Sequence, residues 1–230
     1  YQASTLALGL HAMDPGRFQQ PIWRCGQFLV DNQCRNGQWG YGKPVTLPTI
    51  TLSASTRRVV TTSGGRGAGE AQAATEARET RPKRELKLQA RGAGPDSGDN
   101  SNTQYAILGL RACEEANVRI PPDVWKRVLE AWFKTQKDDG GWNYENGSEA
   151  GYPSMTEGGL GSAVIALHYL DRDWRKDAQV AKAIAWMKRF DVKENKIPRH
   201  GGNAYHYYHL YALERAGMLA QQEQFGGRDW

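Results

Sequence analysis

The chain repeats itself, and that repeat restricts the fold more than any other feature. Leu8-Gly9-Leu10 returns as Leu108-Gly109-Leu110 at an offset of 100, and Trp23 returns as Trp125 at 102. Gln33, Gly37, Trp39 and Tyr41 return as Gln136, Gly140, Trp142 and Tyr144 at 103. So small a drift means that one structural unit is used twice on either side of an insertion, the signature of stacked repeats.

Each unit reads as two helices. In the second copy Tyr105, Leu108 and Ala112 stand at helical spacing on a first helix. Pro121-Pro122-Asp123 opens a second helix that carries Trp125, Val128, Leu129 and Trp132. It stops at Lys137-Asp138-Asp139-Gly140-Gly141-Trp142, where a glycine can take the left-handed conformation and Trp142 can fold back. Gln136, and Gln33 in the earlier copy, are expected to lock the turn by stacking and hydrogen bonding with the buried indole. A third unit places Val164, Ile165, Leu167 and Tyr169 on its first helix and Val180, Ile184, Trp186 and Met187 on its second. Its closing turn, Lys193 to Pro198, has neither the Gly nor the Trp. A fourth first helix is expected over Asn203 to Met218, with Phe225 to Trp230 where another second helix should open. Tyr1 runs straight into the apolar run Leu6, Ala7, Leu8, Leu10 with no capping residue, as expected of a segment of a longer array. All periodic apolar segments outside the insertion have helical spacing, which predicts an all-α fold.

Three stretches follow: a helix-pair unit over 1–45, a low-complexity basic insertion over 46–98, and further units of the same domain over 99–230. The insertion contains no Phe, Trp or Tyr and is expected to be a long, solvated, disordered loop with at most a short helix around Glu70 to Glu79. It also carries nine Arg and Lys against five acids, or +4 of the chain's +5, so the remaining +1 gives no electrostatic footprint for nucleic acid. No run of about 18 apolar residues is present, so no membrane segment is expected, and no leader peptide is recognisable. Cys25, Cys34 and Cys113 have no metal-type spacing and are read as buried free thiols.

The turns Gln33 to Trp39 and Gln136 to Trp142 resemble the Gln-Trp turns of the α/α toroid superfamily of squalene cyclases, oxidosqualene cyclases and protein prenyltransferase β subunits. The block Asp99-Asn100-Ser101-Asn102-Thr103-Gln104-Tyr105 is similar to one that opens a helix in bacterial prenyltransferase and squalene oxidase repeat proteins. The resemblance covers nearly the whole chain outside the insertion and implies an α/α toroid, here incomplete. It does not fix a chemistry, because one architecture hosts several.

The catalytic groups of that superfamily are not matched. Asp138-Asp139 lies in the repeat turn and Asp171-Arg172-Asp173 in a loop, so both read as capping or solvated residues, not as the Asp-rich acid of a cyclase. Tyr205-His206 and Tyr208-His209 resemble the Tyr-His half of a prenyltransferase zinc site, but no Asp-x-Cys pair precedes them, so neither a metal nor another cofactor is expected. Tyr205, Tyr208 and His209 share a helix face at i, i+3 and i+4, which either packs against a neighbour or lines a toroid cavity. Built as in the superfamily, Asn100, Asn102, Thr103, Tyr105, Met155, Thr156, Glu157, Tyr205, His206 and His209 would share one rim, although capping accounts equally for Asn100, Ser101 and Thr156. The leading expectation is a non-catalytic toroid module that binds a hydrophobic, isoprenoid-like molecule or a protein. The alternatives are a terpene-cyclase-like or prenyl-transferring enzyme whose acid or metal site lies outside this segment, and a purely structural scaffold.

Overall fold

The computed structural model describes residues 1–42, 84–145, 147, 149–189, 194–197 and 204–230. Seven α-helices dominate the described residues: α1 (Gln2–Met13), α2 (Gln19–Asp31), α3 (Asn100–Glu115), α4 (Pro122–Thr135), α5 (Pro153–Tyr169), α6 (Ala178–Met187) and α7 (His206–Leu219). Their starts follow from local chemistry. Asp99 caps α3 by accepting from the Asn102 N–H, Asp177 caps α6 through Gln179 and Val180, and Pro122 and Pro153 occupy the first turns of α4 and α5. No described helix is long and apolar enough to cross a membrane.

The first helices form a continuous row in which α1 packs on α3, α3 on α5 and α5 on α7. The second helices lie beside that row, α2 against α1 and α3, and α4 and α6 against α5. One core runs through both sets, from Ala7 and Ile22 to Leu213 and Phe225.

The repeated turns are superimposable in their bonding. Trp39 Nε1 donates to the Leu29 carbonyl at 2.7 Å and Trp142 Nε1 to the Trp132 carbonyl at 2.8 Å, in each case ten residues back. The Trp39 N–H donates to Thr103 Oγ1 and the Trp142 N–H to Thr156 Oγ1, tying each turn to the start of the next first helix. The glutamines work differently from expectation, since neither bonds the indole. Gln33 Nε2 donates to the carbonyls of Gly37 and Val124, and Gln136 Nε2 to those of Gly140 and Gln179, so each amide joins its own turn to the following second helix. Gly37 (φ +89°) and Gly140 (φ +98°) are left-handed, and a Cβ there would lie 2.2 Å and 2.5 Å from the carbonyl oxygens of Arg127 and Lys182.

A further sequence expectation is corrected here. Residues 84–98, placed in the solvated insertion, run as a strap along α2. Leu86–Lys87 (β1) pairs in parallel with Val118–Arg119 (β2), and Leu88 is buried in the core. The cause is a side-chain ladder on α2: Gln19, Trp23 and Gln27 donate to the carbonyls of Arg84, Lys87 and Gln89, and Asp31 accepts from the Arg91 N–H and guanidinium. The helix expected near Glu70 to Glu79 lies outside the described residues. The fourth first helix, expected over Asn203 to Met218, is present as α7. Gln224–Phe225 (β3) and Arg228–Asp229 (β4) form a hairpin, turned at Gly226-Gly227, that lays Trp230 onto Gly217.

Candidate functional site

The N-terminal ends of the first helices meet at a cleft of about 740 Å³. Six tyrosines line it: Tyr1, Tyr41, Tyr144, Tyr152, Tyr205 and Tyr208. Ser101, Ser154, Met155 and Ile197 contribute from the helix starts and the third turn, and Asn143, Glu145, Gly147 and Glu149 from the loop after the Trp142 turn. Tyr152 and Tyr205 are the N-cap residues of α5 and α7, and Tyr205 holds φ +55°. The repeat thus places a phenol at the same point of two successive first helices.

Burial pushes the phenols of Tyr144, Tyr152 and Tyr208 above their ordinary value, and that of Tyr1 up to about 12. They stay protonated at neutral pH and act as uncharged donors. Tyr208 already donates to Gln104 Oε1. At α3 and α5 the first turns are engaged from within: Asn100 N–H donates to the Tyr144 carbonyl, Asn102 N–H to Asp99 Oδ1, and Ser154 N–H to Asn195 Oδ1.

Of the rim residues singled out in the sequence, Met155 and Tyr205 line this cleft, and Tyr205 is 68% exposed. Asn100 is buried, accepting from Gln38 Nε2 and donating to the Asn143 carbonyl, each at 2.7 Å, and Asn102 donates to Asp99 Oδ2. Both asparagines brace the turn instead of facing a ligand. Thr103 and Thr156 hold the turn tryptophans as described above. Tyr105 lies against Tyr1, Tyr208 and Tyr211, with ring centroids 4.5, 6.0 and 5.8 Å away. His206 is half-buried beside Tyr207 and is not part of the lining.

Glu157 and His209 come together, but inside the α5–α7 interface and not on the cleft. His209 Nδ1 lies 2.9 and 3.0 Å from the two carboxyl oxygens, and both side chains are fully buried. Burial raises the Glu157 carboxyl to about 7 despite the opposing pull of His209. Asp139 accepts from the Gly141 N–H and from Trp186 Nε1, and Asp173 from the Arg175 N–H, so both serve turns. The three cysteines are buried and free, and burial raises their thiols. Among the described residues no three His, Cys, Asp or Glu side chains are placed to share a metal ion.

Sequence reasoning missed Tyr1, Tyr41, Tyr144 and Tyr152 as a lining. A signal was present, since Tyr41 repeats as Tyr144, and Tyr152 and Tyr205 stand at matching helix starts 53 residues apart. Set against family models, curated proteins and solved structures, the chain shows no match to any.

Proposed function

We propose that this chain is a non-catalytic binding module of the α/α toroid type, and that the tyrosine cleft receives a small ligand with an apolar or aromatic body. The paired Gln…Gly…Trp turns and the row of first helices support the toroid reading. The single observation that carries the function is the cleft itself, whose size falls within the range of small-molecule sites and whose wall combines apolar ring faces with phenol hydroxyls. The polar share of that wall favours an amphipathic molecule over a pure hydrocarbon. Binding without turnover fits the burial of the Glu157 and His209 pair, which has no exposed atom with which to reach a substrate.

The test is titration with N-phenyl-1-naphthylamine, a neutral aromatic probe, followed by its fluorescence. One equivalent should bind. Tyr144→Ala with Tyr205→Ala should weaken binding roughly tenfold, from about 0.5–1.5 kcal/mol per lost aromatic contact, with the far-ultraviolet circular dichroism unchanged. Equal affinity in the double variant overturns the assignment of the cleft.

A further inference from the structure

The large apolar side chains left exposed among the described residues fall in two places. Tyr1, Tyr41 and Tyr205 line the cleft. The others, Leu6, Met13, Tyr207, Leu210 and Met218, lie on α1 and α7, the two helices at the ends of the row of first helices. Inside the row α3 and α5 each pack between two first helices, whereas the packing of α1 is on α2 and α3 and that of α7 is on α5.

The repeat indicates what each bare face is shaped to meet. Ser4, Gln104 and Glu157 hold equivalent places on α1, α3 and α5, and each is buried against the next first helix. Tyr152 and Tyr205 cap α5 and α7 at matching points, so the counterpart of Glu157 on α7 is Leu210, which is 40% exposed. A place that is buried in three units is open in the fourth, and there it is apolar. The receiving side shows the same gap. Gly109 of α3 accepts Ser4 so closely that a Cβ would lie 2.7 Å from the Ser4 Cα, while a Cβ on Gly9, its counterpart on α1, would meet nothing within 4 Å. The exposed residues around Gly9 on α1 are Gln2, Thr5, Leu6, Ala12 and Met13, and none is charged. On α7 the exposed stripe of Tyr207, Leu210 and Met218 is also uncharged, and the adjacent Glu214 and Arg215 pair with each other. One end thus offers a protruding leucine and the other a glycine-centred face, with no like charges to hold them apart.

We infer that a second copy of this chain docks head to tail on the first, the outer face of α7 in one copy seating on the outer face of α1 in the next, with Leu210 directed at Gly9. The junction continues the row of first helices and repeats the Ser4 to Gly109 contact between copies. It joins two different surfaces, so each copy offers one donating and one receiving face. A second copy is the occupant because the packing partner that each end lacks is the one the opposite end presents.

Size-exclusion chromatography with light scattering, run on the full chain from micromolar to submillimolar concentration, tests this. At the upper end the mass should be that of at least two 25.7 kDa chains. Leu6→Glu and Leu210→Glu should each weaken association at least about tenfold, because the junction would then bury an unpaired carboxylate. Both side chains are exposed within one copy, so the far-ultraviolet circular dichroism of each variant should match the wild type. Mixing the two variants should restore a one-to-one complex, since the α7 face of the Leu6→Glu chain and the α1 face of the Leu210→Glu chain are both intact. A contact between like faces would instead be broken by one substitution and indifferent to the other. A mass of one chain throughout the concentration range, either substitution without effect, or a mixture that stays apart overturns the assignment.

Discussion

Glu157 owes its burial to the repeat. Ser4, Gln104 and Glu157 occupy the same position on α1, α3 and α5, and each is buried against the next first helix: Ser4 under Gly109, Gln104 under Gly158, Glu157 against His209. The residue type varies while the place does not, so a carboxyl has been carried into a packed interface and given an imidazole as its partner. The sequence pointed to both residues but not to their pairing, because the contact joins helices 52 positions apart and no periodicity within either helix encodes it. The raised carboxyl has a consequence for stability. The unfolded chain loses this proton near 4.5, whereas the folded chain holds it to about 7. Folding therefore retains a proton that the unfolded state releases, and stability falls as pH rises from about 4.5 to about 7, then levels. Glu157→Gln cannot ionise and still offers His209 an acceptor. It should match the wild type at pH 4.5 and exceed it at pH 8 by up to about 3 kcal/mol, measured by urea denaturation. A wild type that gains on the variant as pH rises would mean a buried carboxylate–imidazolium pair instead.

At the scale of elements, the helices were readable because their apolar faces and proline or aspartate starts are local signals, and the Gln…Gly…Trp turns because they recur. The partners of those turns were not. Gln136 Nε2 reaches Gln179, 43 residues away, and Gly140 sits under the Lys182 carbonyl, contacts that exist only once α4 and α6 are packed. The strap was hidden for a related reason. Its own composition supplies little beyond Leu86 and Leu88, and the residues that hold it, Gln19, Trp23, Gln27 and Asp31, stand on α2 at spacings of four. A chain of low hydrophobicity can be ordered by a helix that satisfies its backbone. The turn geometry predicts a particular sensitivity. Gly140→Ala places a methyl 2.5 Å from the Lys182 oxygen in a backbone conformation that L residues rarely adopt, and should cost about 2 kcal/mol or more. Gly147→Ala, whose added methyl meets nothing within 4 Å, is the control and should leave the melting temperature nearly unchanged. Equal effects at the two glycines would remove the turn from its structural role.

For the whole molecule, the two copies of the repeat are joined by far more than the chain between them. α1 packs on α3, α2 on α3 and β2, and the strap threads from α2 to the start of α3, where the Asp99 N–H donates to the Trp39 carbonyl at 2.9 Å. Ile22, Leu29, Val30 and Trp39 are all buried in the core shared with Ile107, Leu110 and Cys113. Side chains of this kind contribute roughly 1.5–3 kcal/mol each when fully buried, and each hydrogen bond along the strap adds about 0.5–1.5 kcal/mol. Against this stands an association cost of about 4–15 kcal/mol for two separate pieces. The sum favours association. A specific protease site inserted between Gly65 and Arg66 and then cut should therefore leave the two fragments together. They should co-elute in size-exclusion chromatography under native conditions at micromolar concentration and separate only in denaturant. The nicked protein should also melt in a single transition, because one core spans both pieces. Separate elution of the fragments in native buffer, or two resolved melting steps, would show that the first helix pair is an independent unit. In that case the cleft, which takes Tyr1 and Tyr41 from one fragment and its remaining wall from the other, would lose two of its six tyrosines on cleavage.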